Sequence, residues 1–372
     1  MDLDKMKISI ISNYTFASSL PEDLTAVHQY GSESMSAVLA QQLSKTHEVV
    51  FYAPVGSSRV GQYHPTKRTD GKYLQSDLLE DISINGQRHQ DLLDSFVIDM
   101  TPWANNIIEL ATYNDFRNYL SYRLGYNDYI HPNIDPALRH HITHCKYFAD
   151  LYEKAGYPGC QVARFGINDF WNPESIDSPY LEWIKFWKKL TPKQYFLFPH
   201  RYNIEKGSRL VLKLASEFPK ETFVFSSAAV LPDHVAARDE LKTESVRLGL
   251  TNVKFIDFPS SPDREFYRRE LYRNAKCTLS PFIPNVGYHD TGGILSMESI
   301  KCGTPVIVTR SPGSEEILGH QEDKAVFFSD GYESLKLLVE YMDFLGVIPE
   351  PWKWTTDLYV KEYMSAIENI IN

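Results

Sequence analysis

From Tyr195 to Val308 the chain alternates short apolar runs with stretches of helical periodicity. Tyr195-Phe-Leu-Phe198, Thr222-Phe-Val-Phe225, Val253-Lys-Phe-Ile256, Cys277-Thr-Leu279 and Val306-Ile-Val308 read as strands. Helical patterning fills the gaps over 207–218, 236–248, 264–274 and 296–301. Strands that are apolar throughout, rather than on alternate residues, belong to a sheet covered on both faces, and strands separated by helices pair in parallel. The alternation therefore predicts an α/β domain with a doubly wound parallel sheet, whose ligands gather at the carboxyl ends of the strands.

The first half opens in the same way. Lys7–Ser12 reads as a strand, 34–43 as a helix (Met35, Val38, Leu39, Leu43) and Glu48-Val-Val-Phe-Tyr-Ala53 as a second strand. Ser95-Phe-Val-Ile-Asp99 is a further strand, and helices are expected over 101–160. Proline-marked turns at Asn172-Pro173, Ser178-Pro179 and Thr191-Pro192 separate the halves. At 372 residues the chain exceeds one ordinary core. The expected layout is an N-terminal domain over 1–170, a C-terminal domain over 190–350, and a final helix at about 355–372 that packs back on the first domain. The cleft between two such domains is the expected ligand site.

A formal charge of −10 argues against a nucleic-acid partner. Cys145, Cys160, Cys277 and Cys302 show neither close pairing nor metal spacing, which fits a reducing, cytoplasmic setting. The N-terminus lacks the apolar core of a signal peptide, and no run of about 18 apolar residues marks a transmembrane helix. Peripheral membrane contact stays open. Eight of the twelve histidines precede residue 150 and show no metal pattern; His289 is notable for adjoining Asp290. Tyr113, Tyr119, Tyr122, Tyr126 and Tyr129 read first as core and second as a stacking surface for a carbohydrate acceptor.

Three segments carry candidate chemistry. Pro199-His-Arg201-Tyr-Asn-Ile-Glu-Lys206-Gly207 leaves a strand and enters a helix, so Arg201 and Lys206 emerge where two cations could neutralise a diphosphate. In Asp290-Thr-Gly-Gly-Ile-Leu-Ser-Met-Glu298 two carboxylates bracket a Gly-Gly step at a helix start. Free N–H groups there suit a phosphate. Asp290 could bond a donor sugar, the amides of Thr291, Gly292, Gly293 and Ile294 could hold sugar or phosphate oxygens, and Glu298 could take ribose hydroxyls. The competing reading makes Glu298 a solvated helix residue. Gly31-Ser32, before the first helix, would let an acceptor or phosphate approach the backbone or would simply form a turn.

The second-half motifs resemble those of retaining glycosyltransferases of family 4, which have the GT-B fold: two Rossmann-like doubly wound domains facing across a cleft. Arg201 to Gly207 is similar to that family's Arg-(four residues)-Lys-Gly signature. Asp290 to Glu298, continuing into Cys302-Gly303-Thr-Pro305-Val-Ile, resembles its Glu-(seven residues)-Glu signature. Ser311-Pro-Gly313-Ser-Glu315-Glu316-Ile317 is similar to its Gly-Gly-x-x-Glu-Ile turn, and Phe165-Gly166-Ile167-Asn168 to its hinge strand. Val253 to Phe258 and Leu271 to Pro281 also match in order and spacing.

The resemblance implies a UDP- or GDP-sugar donor and a glycan or other hydroxyl acceptor, with no resident cofactor and no required metal. It assigns Arg201 and Lys206 to the diphosphate, Glu298 to ribose, Gly292 to Ile294 to sugar and phosphate, Phe258 to the donor pocket, and Gly31 and Ser32 to the acceptor side. Asp290, one methylene shorter than the usual Glu, joins Arg201 and Lys206 as a catalytic candidate. Two other readings remain: a non-catalytic nucleotide-sugar-binding subunit and a nucleotide-sugar epimerase. A dehydrogenase is disfavoured because no Gly-x-Gly-x-x-Gly follows the first strand.

Overall fold

A computed structural model describes residues 6–12, 31–54, 62–66, 94–100, 119–122, 140–167, 169–172, 189–227, 232–257, 264–283, 293–345 and 354–371. The chain divides into two compact units, one formed by 1–166 with 354–372 and the other by 167–353.

The first unit is built on a parallel sheet. Its strands are β1 (Lys7–Ser12), β2 (Glu48–Pro54), β3 (Gln62–Thr66), β4 (Phe96–Met100), β5 (Tyr119–Tyr122), β6 (His140–Thr143) and β7 (Gln161–Val162), ordered β3-β2-β1-β4-β5-β6-β7. Ile8 pairs with Val49 on one side and Phe96 on the other. Ile8, Ile10, Val50, Phe96 and Ile98 are fully buried, which explains the continuous apolar runs. Helix α1 (Gly31–Leu43) follows β1, and α2 (Lys146–Lys154) precedes β7.

Two expectations are corrected here. Residues 101–160 hold strands β5 and β6 as well as a helix, and Gly31 and Ser32 form the first turn of α1 rather than a loop ahead of it. Polar residues hid β6. His141 is buried between Tyr152, whose ring it stacks on at 6.3 Å, and Tyr157, which it meets edge-on at 5.5 Å. Aromatic faces cover this strand where aliphatic side chains would have announced it.

The last helix, α9 (Thr356–Ile371), belongs to this unit. Its Tyr359 hydroxyl donates to the Met35 carbonyl at 3.4 Å, and Glu362 pairs with the Arg164 guanidinium at 2.8 Å. Gly166 lies so close to the returning chain that a Cβ there would sit 2.3 Å from the Thr355 carbonyl oxygen.

The second unit has strands β8 (Tyr195–Phe198), β9 (Thr222–Ser226), β10 (Val253–Ile256), β11 (Cys277–Ser280), β12 (Val306–Thr309) and β13 (Val326–Ser329), all parallel, in the order β10-β9-β8-β11-β12-β13. The helices are α3 (Ser208–Glu217), α4 (Pro232–Arg247), α5 (Arg264–Asn274), α6 (Gly293–Lys301), α7 (Pro312–Leu318) and α8 (Tyr332–Tyr341). Phenylalanines on successive strands form one face of the core: Phe196 stacks on Phe223 at 5.4 Å, and Phe225 on Phe255 at 5.1 Å. The order in which strands are added to the sheet reverses between β8 and β11. The crevice of such a sheet opens at the carboxyl ends of those two strands.

Among the described residues no helix is long and apolar enough to cross a membrane, and all four cysteines are free thiols.

Candidate active site

The β8–α3 connection lies at the switch point of the second sheet. After Phe198 the chain passes Arg201, makes a tight turn over Ile204–Lys206, and enters α3 at Ser208. Local bonds fix this path. The Lys206 amide donates to the Asn203 carbonyl at 3.2 Å, and the Gly207 amide to the Ile204 carbonyl at 2.8 Å. The buried Ser208 hydroxyl donates to the Tyr202 carbonyl at 2.8 Å. Gly207 is left-handed, with φ +80°, and a Cβ there would meet the Pro281 carbonyl oxygen at 1.8 Å. Only glycine satisfies both demands. The Ile283 amide donates to the Glu205 carbonyl at 3.0 Å. The loop bearing half-buried Arg201 and Lys206 is thus tied to the exit of β11, the other side of the switch point.

Sequence reasoning found those two cations and passed over the hydroxyls beside them. Ser226 ends β9 and Ser280 ends β11; register places both next to Pro199, which follows β8. Both are buried, and neither Oγ has a hydrogen-bond partner among the described residues. Nothing in the local pattern at either position marks it.

Helix α6 begins at Gly293, which takes a φ of +57°. Asp290, Thr291 and Gly292, with His289 and Phe258, lie outside the described residues. Ile294 is on the first turn. The helix is seated through Ser299, whose hydroxyl pairs with that of Thr278 at 2.7 Å, and through Thr304, whose hydroxyl donates to the Tyr272 carbonyl at 2.6 Å. Its end explains the Cys-Gly-Thr-Pro stretch. Gly303 is left-handed at +77°, its amide donates to Ile300, and the Thr304 amide donates to Ser299, both to carbonyls. This is a Schellman stop. A structural cap accounts for Gly303, so that segment is not evidence of ligand contact. The segment Ser311 to Ile317 lies at the start of helix α7 (Pro312–Leu318), with Ser311 as N-cap and a capping box between Ser311 and Ser314.

Glu298 is buried, which overturns its reading as a solvated residue. Its Oε1 accepts from Arg268 at 2.5 Å and its Oε2 from the Tyr272 hydroxyl at 3.3 Å. Arg268 also pairs with Glu265 at 2.8 Å, and the Trp171 ring covers its guanidinium at 4.8 Å. Burial pushes the Glu298 carboxyl up to about 8, with the Glu265 charge adding to the rise and the pull of Arg268 falling short of offsetting it. Burial acts to lower the Arg268 value, but Glu265 and Glu298 together hold it above the ordinary arginine range. The spacing of Glu265, Arg268 and Tyr272 puts them on one helical face. Only the fold shows that this face meets Glu298.

Among the described residues no group of three or more His, Cys, Asp or Glu side chains is arranged to hold a metal ion. The arrangement offers cations at a sheet switch point and a helix N-terminus on the adjoining connection, both suited to an anionic, phosphate-bearing ligand.

Residues 181–343 match the family model described as Glycosyl transferases group 1. This unit is a group 1 glycosyltransferase domain. The domain contains Arg201, Lys206 and Glu298 together with the signature positions that fall outside the described residues. Solved structures extend the likeness to nearly the whole chain. A sucrose-phosphate synthase from Thermosynechococcus elongatus is 14% identical, with a TM-score of 0.67 over 99% of this chain and 95% of its own. A glycosyltransferase from Rickettsia africae is 15% identical, with a TM-score of 0.65 over 99% and 94%. Anabaena HepE, solved in complex with UDP and glucose, is 13% identical, with a TM-score of 0.65 over 98% and 97%. These likenesses establish the GT-B fold. No curated protein sequence matches the chain.

Proposed function

We propose that the chain is a retaining glycosyltransferase of the family 4 kind, moving a hexose from a UDP- or GDP-sugar to a hydroxyl, most simply on a glycan. The observation that carries this reading is the Arg201–Lys206–Gly207 loop, pinned by Gly207 against Pro281 at the switch point of the second sheet. Departure of a nucleoside diphosphate develops charge on phosphate oxygens, and preorganised cations stabilise that charge as the C1–O bond weakens. Arg201 and Lys206 fill this role, and the start of α6 adds the positive end of its dipole. With these groups in place the reaction needs no divalent metal.

Glu298 takes the ribose, while Asp290 and the amides of Thr291 to Ile294 take the sugar and its phosphate. Phe258 lines the donor pocket, and Gly31 and Ser32, on the first turn of α1, face the acceptor. The UDP and glucose held by HepE, a protein of like fold, support a UDP-sugar as the first donor to test. Four free thiols fit a cytoplasmic enzyme.

The test is turnover with a panel of UDP- and GDP-sugars, with and without glycan acceptors. Transfer with retention at the anomeric carbon is the expected result. Lys206→Ala should lower the rate at least ~100-fold, about 3 kcal/mol in barrier. Binding without turnover would instead support a non-catalytic subunit, and conversion of free donor without an acceptor an epimerase.

A further inference from the structure

The cluster around Glu298 is costly to bury. Glu265, Arg268 and Glu298 are each nearly excluded from solvent, at 3%, 11% and 4% side-chain exposure. Two carboxylates share one guanidinium. Buried ion pairs seldom stabilise a fold over well-packed apolar residues, so such a cluster calls for a reason beyond stability. Its geometry supplies one. A carboxylate accepts about four hydrogen bonds, roughly two on each oxygen. Arg268 takes one position on Oε1 and Tyr272 one on Oε2. Among the described residues that leaves one acceptor position on each oxygen, which two vicinal hydroxyls can fill. Arg268 is itself held. Glu265, one turn earlier on α5, takes the same guanidinium at 2.8 Å, and Trp171 covers its face at 4.8 Å. The Trp171 ring also meets the Tyr272 ring edge-on at 5.9 Å, so one indole braces both donors.

We infer that Arg268 is a positioning residue for nucleotide recognition: with Tyr272 it fixes the rotation of the Glu298 carboxylate so that one acceptor position on each oxygen meets the 2′- and 3′-hydroxyls of a ribose. This rests on the reading of Glu298 as the ribose contact. Arg268 touches Glu298 and acts only through it. Tyr272, Glu265 and Trp171 set the angle at which that contact is made.

Isothermal titration of the full chain at pH 9, above the raised Glu298 value so that its carboxylate is ionised, against UDP and GDP, each compared with its 2′-deoxy and 3′-deoxy forms, separates the possibilities. The wild type should prefer the ribonucleotide by about tenfold, the range for hydrogen bonds to a charged acceptor. Glu298→Ala should abolish that preference. Arg268→Met should reduce it below about twofold while leaving deoxynucleotide affinity unchanged, and Arg268→Lys should restore part of it, since a lysine keeps one charged nitrogen for the two carboxylates, both of which bond Nη2, but not the planar group that Trp171 covers. No preference in the wild type would overturn the ribose role of Glu298 and this inference with it. A preference that Glu298→Ala abolishes and Arg268→Met retains would overturn the role of Arg268 alone. Equal weakening of ribo- and deoxyribonucleotide by Arg268→Met would reduce that residue to a structural part and also overturn it. If melting curves show that Arg268→Met does not fold, Arg268→Gln decides, and wild-type discrimination in that variant, which lacks the charge, overturns the proposal.

Discussion

Gly207→Ala perturbs the candidate site through a single atom, and its cost follows from the geometry. The alanine must adopt φ +80° and ψ +20°, a left-handed conformation that costs an L-residue ~1–2 kcal/mol. Its Cβ must also make room 1.8 Å from the Pro281 carbonyl oxygen and 2.7 Å from the Pro281 carbonyl carbon. Those are backbone atoms, and their strand exit is anchored by the Ile283 amide on Glu205 and by the Thr309 hydroxyl on the Phe282 carbonyl at 2.8 Å. Forcing them apart adds ~1–3 kcal/mol, as for an overpacked core. A combined loss of ~3 kcal/mol in a unit of this size lowers its melting temperature by about 6–12 °C.

Gly249→Ala is the control. It is also left-handed, at φ +67°, but a Cβ there meets nothing within 4 Å, so it bears the dihedral cost alone. Calorimetry on both variants should show Gly207→Ala melting well below Gly249→Ala, with weaker nucleoside diphosphate binding only in the former. Equal melting and equal affinity would refute the claim that Gly207 locks the cation loop to the β11 exit.

Other consequences can be checked separately. Gly166→Ala carries no left-handed penalty but drives a Cβ to 2.3 Å from the Thr355 carbonyl oxygen, so it should destabilise the first unit by ~1–3 kcal/mol in denaturant titration; wild-type stability would show that this close approach is not maintained. Burial pushes the Glu298 carboxyl up to about 8 in the folded chain, above the ordinary glutamate range of the unfolded chain, so folding favours its protonated form. The stability from this group is present at low pH and is lost as pH rises toward and through about 8. The groups facing it are Arg268, Glu265 and Tyr272, and Cys302 lies within its electrostatic reach. Urea unfolding from pH 5.5 to 8.5 should fall by up to about one proton's slope more in the wild type than in Glu298→Gln, and parallel curves would remove Glu298 from the balance.

Much of the second unit was legible because its strands are covered on both faces and so read as unbroken apolar runs. Tyr195–Phe198 and Arg264–Asn274 fall where periodicity put them. The first unit was less legible where packing relied on aromatic and polar residues, as His141 shows in β6. Gly31 to Ser34 also misled, because Gly and Ser are weak helix formers, yet the helix runs through them.

At the site, the strand–loop–helix setting of Arg201 and Lys206 could be read directly. The need for glycine at 207 could not, since it arises from Pro281, remote in sequence. The Cys302-Gly303 stretch, matched to the family only by resemblance, is a helix stop, a local rule that the Gly already encoded. Arg268 was invisible as a partner of Glu298 because no periodicity links positions on two different helices.

The account depends most on Arg201 and Lys206 gripping a diphosphate. The direct measurement is the affinity gained from nucleoside to nucleoside diphosphate, taken by calorimetric titration in the wild type, Arg201→Ala and Lys206→Ala. The predicted result is that each substitution cuts that gain at least about tenfold, ~1.4 kcal/mol, and leaves nucleoside affinity alone. An undiminished gain in both variants, or an equal loss for nucleoside and diphosphate, would contradict it.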